Sequence, residues 1–153
     1  MSSFILLVLT AAHVAIVPPV ALKITVTKAS ITAGQIPTFD VSVRNLADEP
    51  ARVIAADRSE GLQRWYFRPV VTRAGKEVWL PQGCDLPAPP HEADYLILPS
   101  HGTYSFRLSS FSGAWEELKP GIYSVRIRYR HWRYREQSYT SESNAVVLRI
   151  LAK

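Results

Sequence analysis

Apolar and polar residues alternate at period two along most of this chain. Phe39, Val41 and Val43 alternate with Asp40, Ser42 and Arg44; Tyr104, Phe106 and Leu108 alternate with Thr103, Ser105 and Arg107. The longest such run places Tyr123, Val125, Ile127 and Tyr129 on one face and Ser124, Arg126, Arg128 and Arg130 on the other. Period two is the signature of a strand buried on one side, and β-branched and aromatic residues suit that pleated surface. Ile24 and Val26 begin the pattern, and a Val-, Ile- and Leu-rich strand over residues 144–151 ends it. No long 3.6-residue period is present, although residues 112–118 have room for one helical turn.

Turn formers punctuate the runs. Residues 45–50 read Asn-Leu-Ala-Asp-Glu-Pro, and residues 73–76 read Arg-Ala-Gly-Lys, where Gly75 is free to take positive φ. The second turn predicts a hairpin returning over residues 77–80. Trp65, Phe67 and Val71 share one parity while Arg64, Tyr66 and Arg68 share the other. Pro69 makes this strand an edge or a bulged one. Residues 81–99, bounded by Pro81 and Pro99, hold five of the 11 prolines and read as a long irregular loop.

Seven to nine one-sided strands need a second layer to cover them. The expected fold is therefore all-β, a single antiparallel Greek-key β-sandwich of the immunoglobulin-like kind. A length of 153 residues fits one domain, and 47% hydrophobic residues suffice for its core. One cysteine, Cys84, excludes an intrachain disulfide scaffold.

Leu118-Lys119-Pro120-Gly121-Ile122-Tyr123, just before the longest strand, resembles the tyrosine corner of Greek-key sandwiches, with Trp115 positioned to cover it. Residues 143–147, Ser-Asn-Ala-Val-Val, resemble the last-strand entry of bacterial immunoglobulin-like domains, and residues 41–50 resemble their early strand and turn. The whole order over residues 22–151 is similar to the bacterial intracellular proteinase inhibitor family and to macroglobulin-like domains. The resemblance implies a fold, with Trp115, Leu118, Pro120 and Tyr123 in structural roles. It transfers no inhibitory residue, because no reactive-loop motif is matched.

Residues 4–17, Phe-Ile-Leu-Leu-Val-Leu-Thr-Ala-Ala-His-Val-Ala-Ile-Val, carry no charge. Residues 1–21 read as a signal peptide or an N-terminal apolar segment, leaving 22–153 as the domain. A signal implies a secreted or periplasmic protein; without one the chain is cytoplasmic. No stable membrane span is expected, because the run reaches Leu22 only across Pro18 and Pro19.

Charge is concentrated in one place. Lys and Arg number 18 against 13 acids, a net +5, and residues 126–135, Arg-Ile-Arg-Tyr-Arg-His-Trp-Arg-Tyr-Arg, supply five of those arginines. Arg126, Arg128 and Arg130 fall in one row about 7 Å apart, with Trp132, Arg133, Tyr134 and Arg135 at the tip of a hairpin. Arg forks suit carboxylates, phosphates and sulfates, and Arg, Trp and Tyr are enriched at binding hot spots. The plainer alternative is a solvated face neutralised by Glu136 and Glu142, its arginine stems covering apolar sheet. Arg64, Tyr66 and Arg68 widen the basic face if their strand lies beside this one.

Catalytic signatures are absent: there is no Gly-x-Ser-x-Gly, His-Glu-x-x-His or phosphate-binding glycine loop. Cys84 with His91 or His101 has no local support as a nucleophile and base. His91, Glu92 and Asp94 offer metal-ligand types without a fourth ligand, so neither metal nor cofactor is expected. The expectation is a non-enzymatic binding or accessory domain facing an acidic glycan or protein, with specific nucleic-acid binding disfavoured. A proteinase inhibitor using the proline-rich loop and a structural spacer are the other two readings.

Overall fold

The computed structural model of the chain describes residues 20–78, 89–109, 115–131 and 139–153. Among these the fold is an all-β sandwich. The first sheet holds β1 (Val20–Val26), β3 (Phe39–Asn45) and β8 (Thr103–Leu108), in the order β1-β3-β8. The second runs β2 (Ser30–Thr32), β11 (Val146–Leu151), β9 (Gly121–His131), β5 (Phe67–Arg73) and β6 (Lys76–Val78), with β10 (Tyr139–Glu142) also paired to β9. A two-stranded sheet of β4 (Ala51–Ile54) and β7 (Tyr95–Leu98) completes it.

Eleven strands stand among the described residues, against an expected seven to nine. The surplus lies in three- and four-residue pieces such as β2 and β7, too short to show a period of their own. One pair departs from the antiparallel expectation: β2 runs parallel to β11. The cause is a strand that changes layers. β1 pairs with β3 in the first sheet, and its continuation β2 crosses to the second without reversing direction. The changeover is clasped by Asn144, whose Oδ1 accepts from the Ile24 N–H at 2.8 Å while its Nδ2 donates to the Ile24 carbonyl at 3.1 Å. Ser141 adds a bond from its hydroxyl to the Val20 carbonyl.

β1 begins at Val20, which is buried and paired with Asn45, so Val20 and Ala21 belong to the sandwich rather than to the segment preceding it. Residues 1–19 lie outside the described part.

The inward faces obey the sequence pattern. Ile24, Val41, Val43, Phe106 and Leu108 from one sheet meet Phe67, Val71, Tyr123, Val125, Ile127, Tyr129 and Leu148 from the other. Phe67 joins the layers: its ring stacks on Tyr129 of its own sheet at 4.5 Å and meets Phe106 of the facing sheet edge-on at 4.8 Å. His131 is buried too, so the inward parity of β9 continues through its last residue.

Residues 60–66 correct the expected strand. Glu60–Tyr66 forms a helix, α1, and β5 starts only at Phe67. Ser59 caps the helix, its hydroxyl accepting from the Leu62 N–H at 3.1 Å, and Glu60 suits the positive end of the helix dipole. Pro69 sits in β5 where, among the described residues, β6 has already ended at its Val78–Val71 pair. A missing N–H is tolerated there because, among the described residues, β5 has a neighbour on only one side at this point. The hairpin after β5 turns at Ala74 and Gly75, both at positive φ, as a two-residue turn requires.

The loop expected over residues 81–99 is partly structured. A 3-10 turn at Glu92–Asp94 and strand β7 occupy its second half, while Cys84 and the first half lie outside the described residues. Residues 115–117 form a turn; 112–114 lie outside the described part.

Candidate functional site: the outer face of the six-stranded sheet

With Tyr123, Val125, Ile127, Tyr129 and His131 turned inward, β9 turns Ile122, Ser124, Arg126, Arg128 and Arg130 outward. Register decides what stands beside them. Glu142 of β10 is directly opposite Arg128 on one side, and Arg68 of β5 is directly opposite it on the other. Cross-strand partners share a face, so Arg68, Arg126, Arg128 and Arg130 form one patch.

Glu142 neutralises part of it. Its Oε1 accepts from Arg128 Nε at 2.9 Å and from Nη2 at 2.7 Å, while Oε2 lies 3.7 Å from Arg126 Nη1. This exposed pair contributes about 0.2–1 kcal/mol, enough to fix side-chain positions but little for overall stability. One carboxylate thus serves two guanidinium groups along β9.

Arg68 is placed differently. It is half-buried, and its Nε is shielded from solvent with no hydrogen-bond acceptor among the described residues. Burial, and then the positive charge of Arg130, hold its guanidinium pKa below the ordinary value. Arg130 stands on the diagonal from Arg68, about 7–8 Å between backbones and within reach of long side chains.

The other end of the face adds exposed apolar side chains. Ile122 of β9 lies opposite Arg149 of β11, flanked diagonally by Val147 and Leu151. All three hydrophobic side chains are exposed, Val147 to 62%. The face therefore grades from an apolar end around Arg149 to a basic end around Arg68. Sequence reading overlooked this apolar end; its signal was that Ile122, Val147 and Leu151 fall on the outward parity of their strands.

The expected second row of Arg64, Tyr66 and Arg68 does not exist. Helix α1 gives its residues a 100° step instead of 180°, so Arg64 is exposed on the helix and Tyr66 is buried in the core. Only Arg68, the second residue of β5, joins the basic face. Trp132, Arg133, Tyr134 and Arg135 lie outside the described residues.

Tyr123 is buried and its hydroxyl donates to the Lys119 carbonyl at 2.6 Å. Arg73 reaches over from β5, with Nη2 donating to the Pro120 carbonyl at 3.3 Å and its guanidinium 5.5 Å from the centre of the Tyr123 ring. Trp115 is buried against Phe39, and Leu118 is buried beside this turn.

The other candidate groups are engaged in local structure. Asp94 accepts from the His91 N–H at 2.7 Å and Glu92 pairs with Arg52 at 2.7 Å. His101 pairs with Asp48 at 3.1 Å. No three His, Cys, Asp or Glu among the described residues are grouped to hold a metal ion, and no helix among them is long and apolar enough to cross a membrane.

Tyr66 carries a pH consequence. Burial first, then Tyr95 and Asp94, push its hydroxyl from 10.0 up to about 12, with Arg130 opposing. Burial and a hydrogen bond to Asp57 raise Tyr104 as well. A raised folded-state pKa favours the protonated phenol. The stability it contributes is complete below about pH 10 and is lost as pH rises through about 12. Urea midpoints measured between about pH 9 and about pH 12 should therefore fall, and Tyr66→Phe should make that fall shallower. An unchanged slope in the variant contradicts the burial of the phenol.

Comparison with known protein families and with curated proteins returns no match.

Proposed function

We propose that the chain is a non-enzymatic binding domain that holds an acidic partner against the outer face of its six-stranded sheet. The observation that carries this is one of placement: register sets Arg68, Arg126, Arg128 and Arg130 on one outward face, where Glu142 pairs with both Arg126 and Arg128. Like charges on adjacent strands disfavour one another by a few tenths of a kcal/mol or more per pair, and an anionic partner reverses that cost. The apolar end of the same face adds area for a partner to cover.

The domain itself is read as immunoglobulin-like. Strands β1, β3 and β8 match the first sheet of that order, β5, β9 and β11 the second, and the Tyr123–Lys119 bond fits its tyrosine corner. Export, expected from the apolar leader, would set this face among acidic glycans and envelope proteins, the partner classes that its chemistry favours.

The test is retention on immobilised heparin, a polysulfated glycan. The variant Arg126→Ser/Arg128→Ser/Arg130→Ser should keep its far-ultraviolet spectrum and elute at lower salt. Its binding should also depend less steeply on salt, the slope falling by roughly one for each anion contact removed. Retention equal to that of the unmodified protein refutes the proposal.

A further inference from the structure

We infer that Arg149 and the aliphatic side chains around it form a docking point for a polypeptide segment, one that presents a carboxylate between apolar side chains. The inference deepens the binding reading above and rests on it in placing the partner on this face. It concerns the end of the face away from Arg126 and Arg128, and it stands on separate observations.

Val147, Arg149 and Leu151 follow one another on the outward parity of β11, about 7 Å apart by strand rise. The Arg149 backbone N–H donates to the Ala29 carbonyl at 2.8 Å, away from β9. Its pair with Ile122 of β9 is therefore the non-hydrogen-bonded kind, in which facing side chains stand closest. On the other side it faces only Ser30 of β2. Arg149 thus stands among Ile122, Val147 and Leu151, which are 58%, 62% and 45% exposed. It is itself exposed, and no carboxylate pairs with it among the described residues. Six large hydrophobic side chains are exposed among the described residues, and three of them gather here. Scattered exposed hydrophobics carry no message, but a cluster marks a contact surface.

The mixture of groups selects the partner. Covering the three aliphatic side chains removes water from the arginine in their midst, and a desolvated guanidinium needs a counter-charge from whatever covers it. A carboxylate between apolar side chains meets both needs at once. A second copy does not, because a two-fold pairing centred on this patch sets two Arg149 guanidinium groups in one interface. A bilayer does not, because taking the aliphatic side chains into hydrocarbon takes the guanidinium with them. A sulfated glycan reaches Arg149 by charge but brings little apolar surface to lay on its neighbours.

The experiment titrates the isotopically labelled full chain with blocked peptides in which leucine, glutamate and leucine alternate with serine. That order sets the three on one face of an extended segment, at the spacing of Val147, Arg149 and Leu151. Amide shifts at residues 122 and 147–151 should saturate. Replacing the peptide's glutamate by glutamine, or its leucines by serine, should weaken binding about fivefold or more, and Arg149→Gln and Val147→Ser in the protein should each do the same. Arg126→Ser should change it by less than about twofold. Should Val147→Ser not fold, Ile122→Ser supplies the same comparison. Absence of saturation, a glutamine peptide that binds as tightly, or equal losses from Arg149→Gln and Arg126→Ser would each overturn the docking point. So would a dimer in sedimentation that Val147→Ser dissociates, or binding to phosphatidylserine vesicles that Arg149→Gln abolishes, since these assign the patch to a second copy or to a membrane. The two proposals fail separately. Heparin retention that depends on Arg126, Arg128 and Arg130 without saturable peptide binding leaves the basic face and removes the docking point. Saturable peptide binding, with heparin retention unaltered by the triple substitution, does the reverse.

Discussion

Phe67→Ala should lower unfolding stability by about 3–5 kcal/mol, the range for deleting a fully buried aromatic ring. Phe67 is the first residue of β5, set immediately after α1 and wholly buried. Its ring is held between Tyr129, stacked at 4.5 Å, and Phe106 of the facing sheet at 4.8 Å. Those rings are anchored in paired strands and cannot move in to fill the space. The cavity therefore persists, and its lost contacts add to the lost transfer free energy. For a domain of ordinary stability, about 5–15 kcal/mol, that is a large share. Urea unfolding should show a lower midpoint with an unchanged slope. A loss below about 1 kcal/mol would mean that the layers do not meet at this ring.

Asn45→Ala should cost about 2–3 kcal/mol, because several buried or part-buried backbone groups lose their partner together. Asn45 ends β3 and is completely buried. Its Nδ2 donates to the carbonyls of Glu49 at 2.8 Å and Pro99 at 3.0 Å, with Leu98 at 3.4 Å, and its Oδ1 accepts from the Ala47 N–H at 2.9 Å. One side chain closes the turn after β3 and fastens it to the exit of β7. Alanine leaves those carbonyls without their donor and opens a gap at a side chain that is itself fully buried. Asn45→Asp separates the roles: it keeps an acceptor for Ala47 but sets a carboxylate against the carbonyls, so it should be at least as damaging. Thermal unfolding of both variants checks this, and an aspartate variant as stable as the parent contradicts the donor role.

Asn45 was legible only as a turn residue. What makes it buried is the approach of the 98–102 segment, a contact across more than fifty residues that no local pattern encodes. The long alternating strands were legible because period two ran through β3, β8 and β9 without interruption. Helix α1 was not, because its seven residues span two turns and Trp65 and Phe67 mimic strand parity. The deciding signals were the Ser59 cap and the i, i+4 pair Leu62 and Tyr66, which a reading of parity alone passes over. That local error moved Tyr66 from a supposed surface row into the core. The proline-rich stretch misled in the opposite direction: between Pro90 and Pro99 it holds a strand, β7, that contains none.

The candidate site divides in the same way. The row of Arg126, Arg128 and Arg130 follows from the period of β9 itself. Its neighbours depend on register, which pairs Arg128 with Glu142 on one side and Arg68 on the other. Whether an arginine row is a neutralised surface or an anion site depends on those neighbours. Glu142 neutralises Arg126 and Arg128 only in part, one carboxylate against two guanidinium groups, and Arg68 stands on the far side of β9 from it.

The most direct test of the account is amide shift mapping of the isotopically labelled full chain during titration with a short sulfated oligosaccharide. Perturbations should cluster on residues 68–70, 126–130 and 140–142, extend toward residues 122 and 147–149 with longer oligosaccharides, and disappear at high salt. Perturbations centred on the exposed face of the β1-β3-β8 sheet, or scattered without regard to the six-stranded sheet, would contradict the claim that this fold builds an anion-binding surface on the outside of β9.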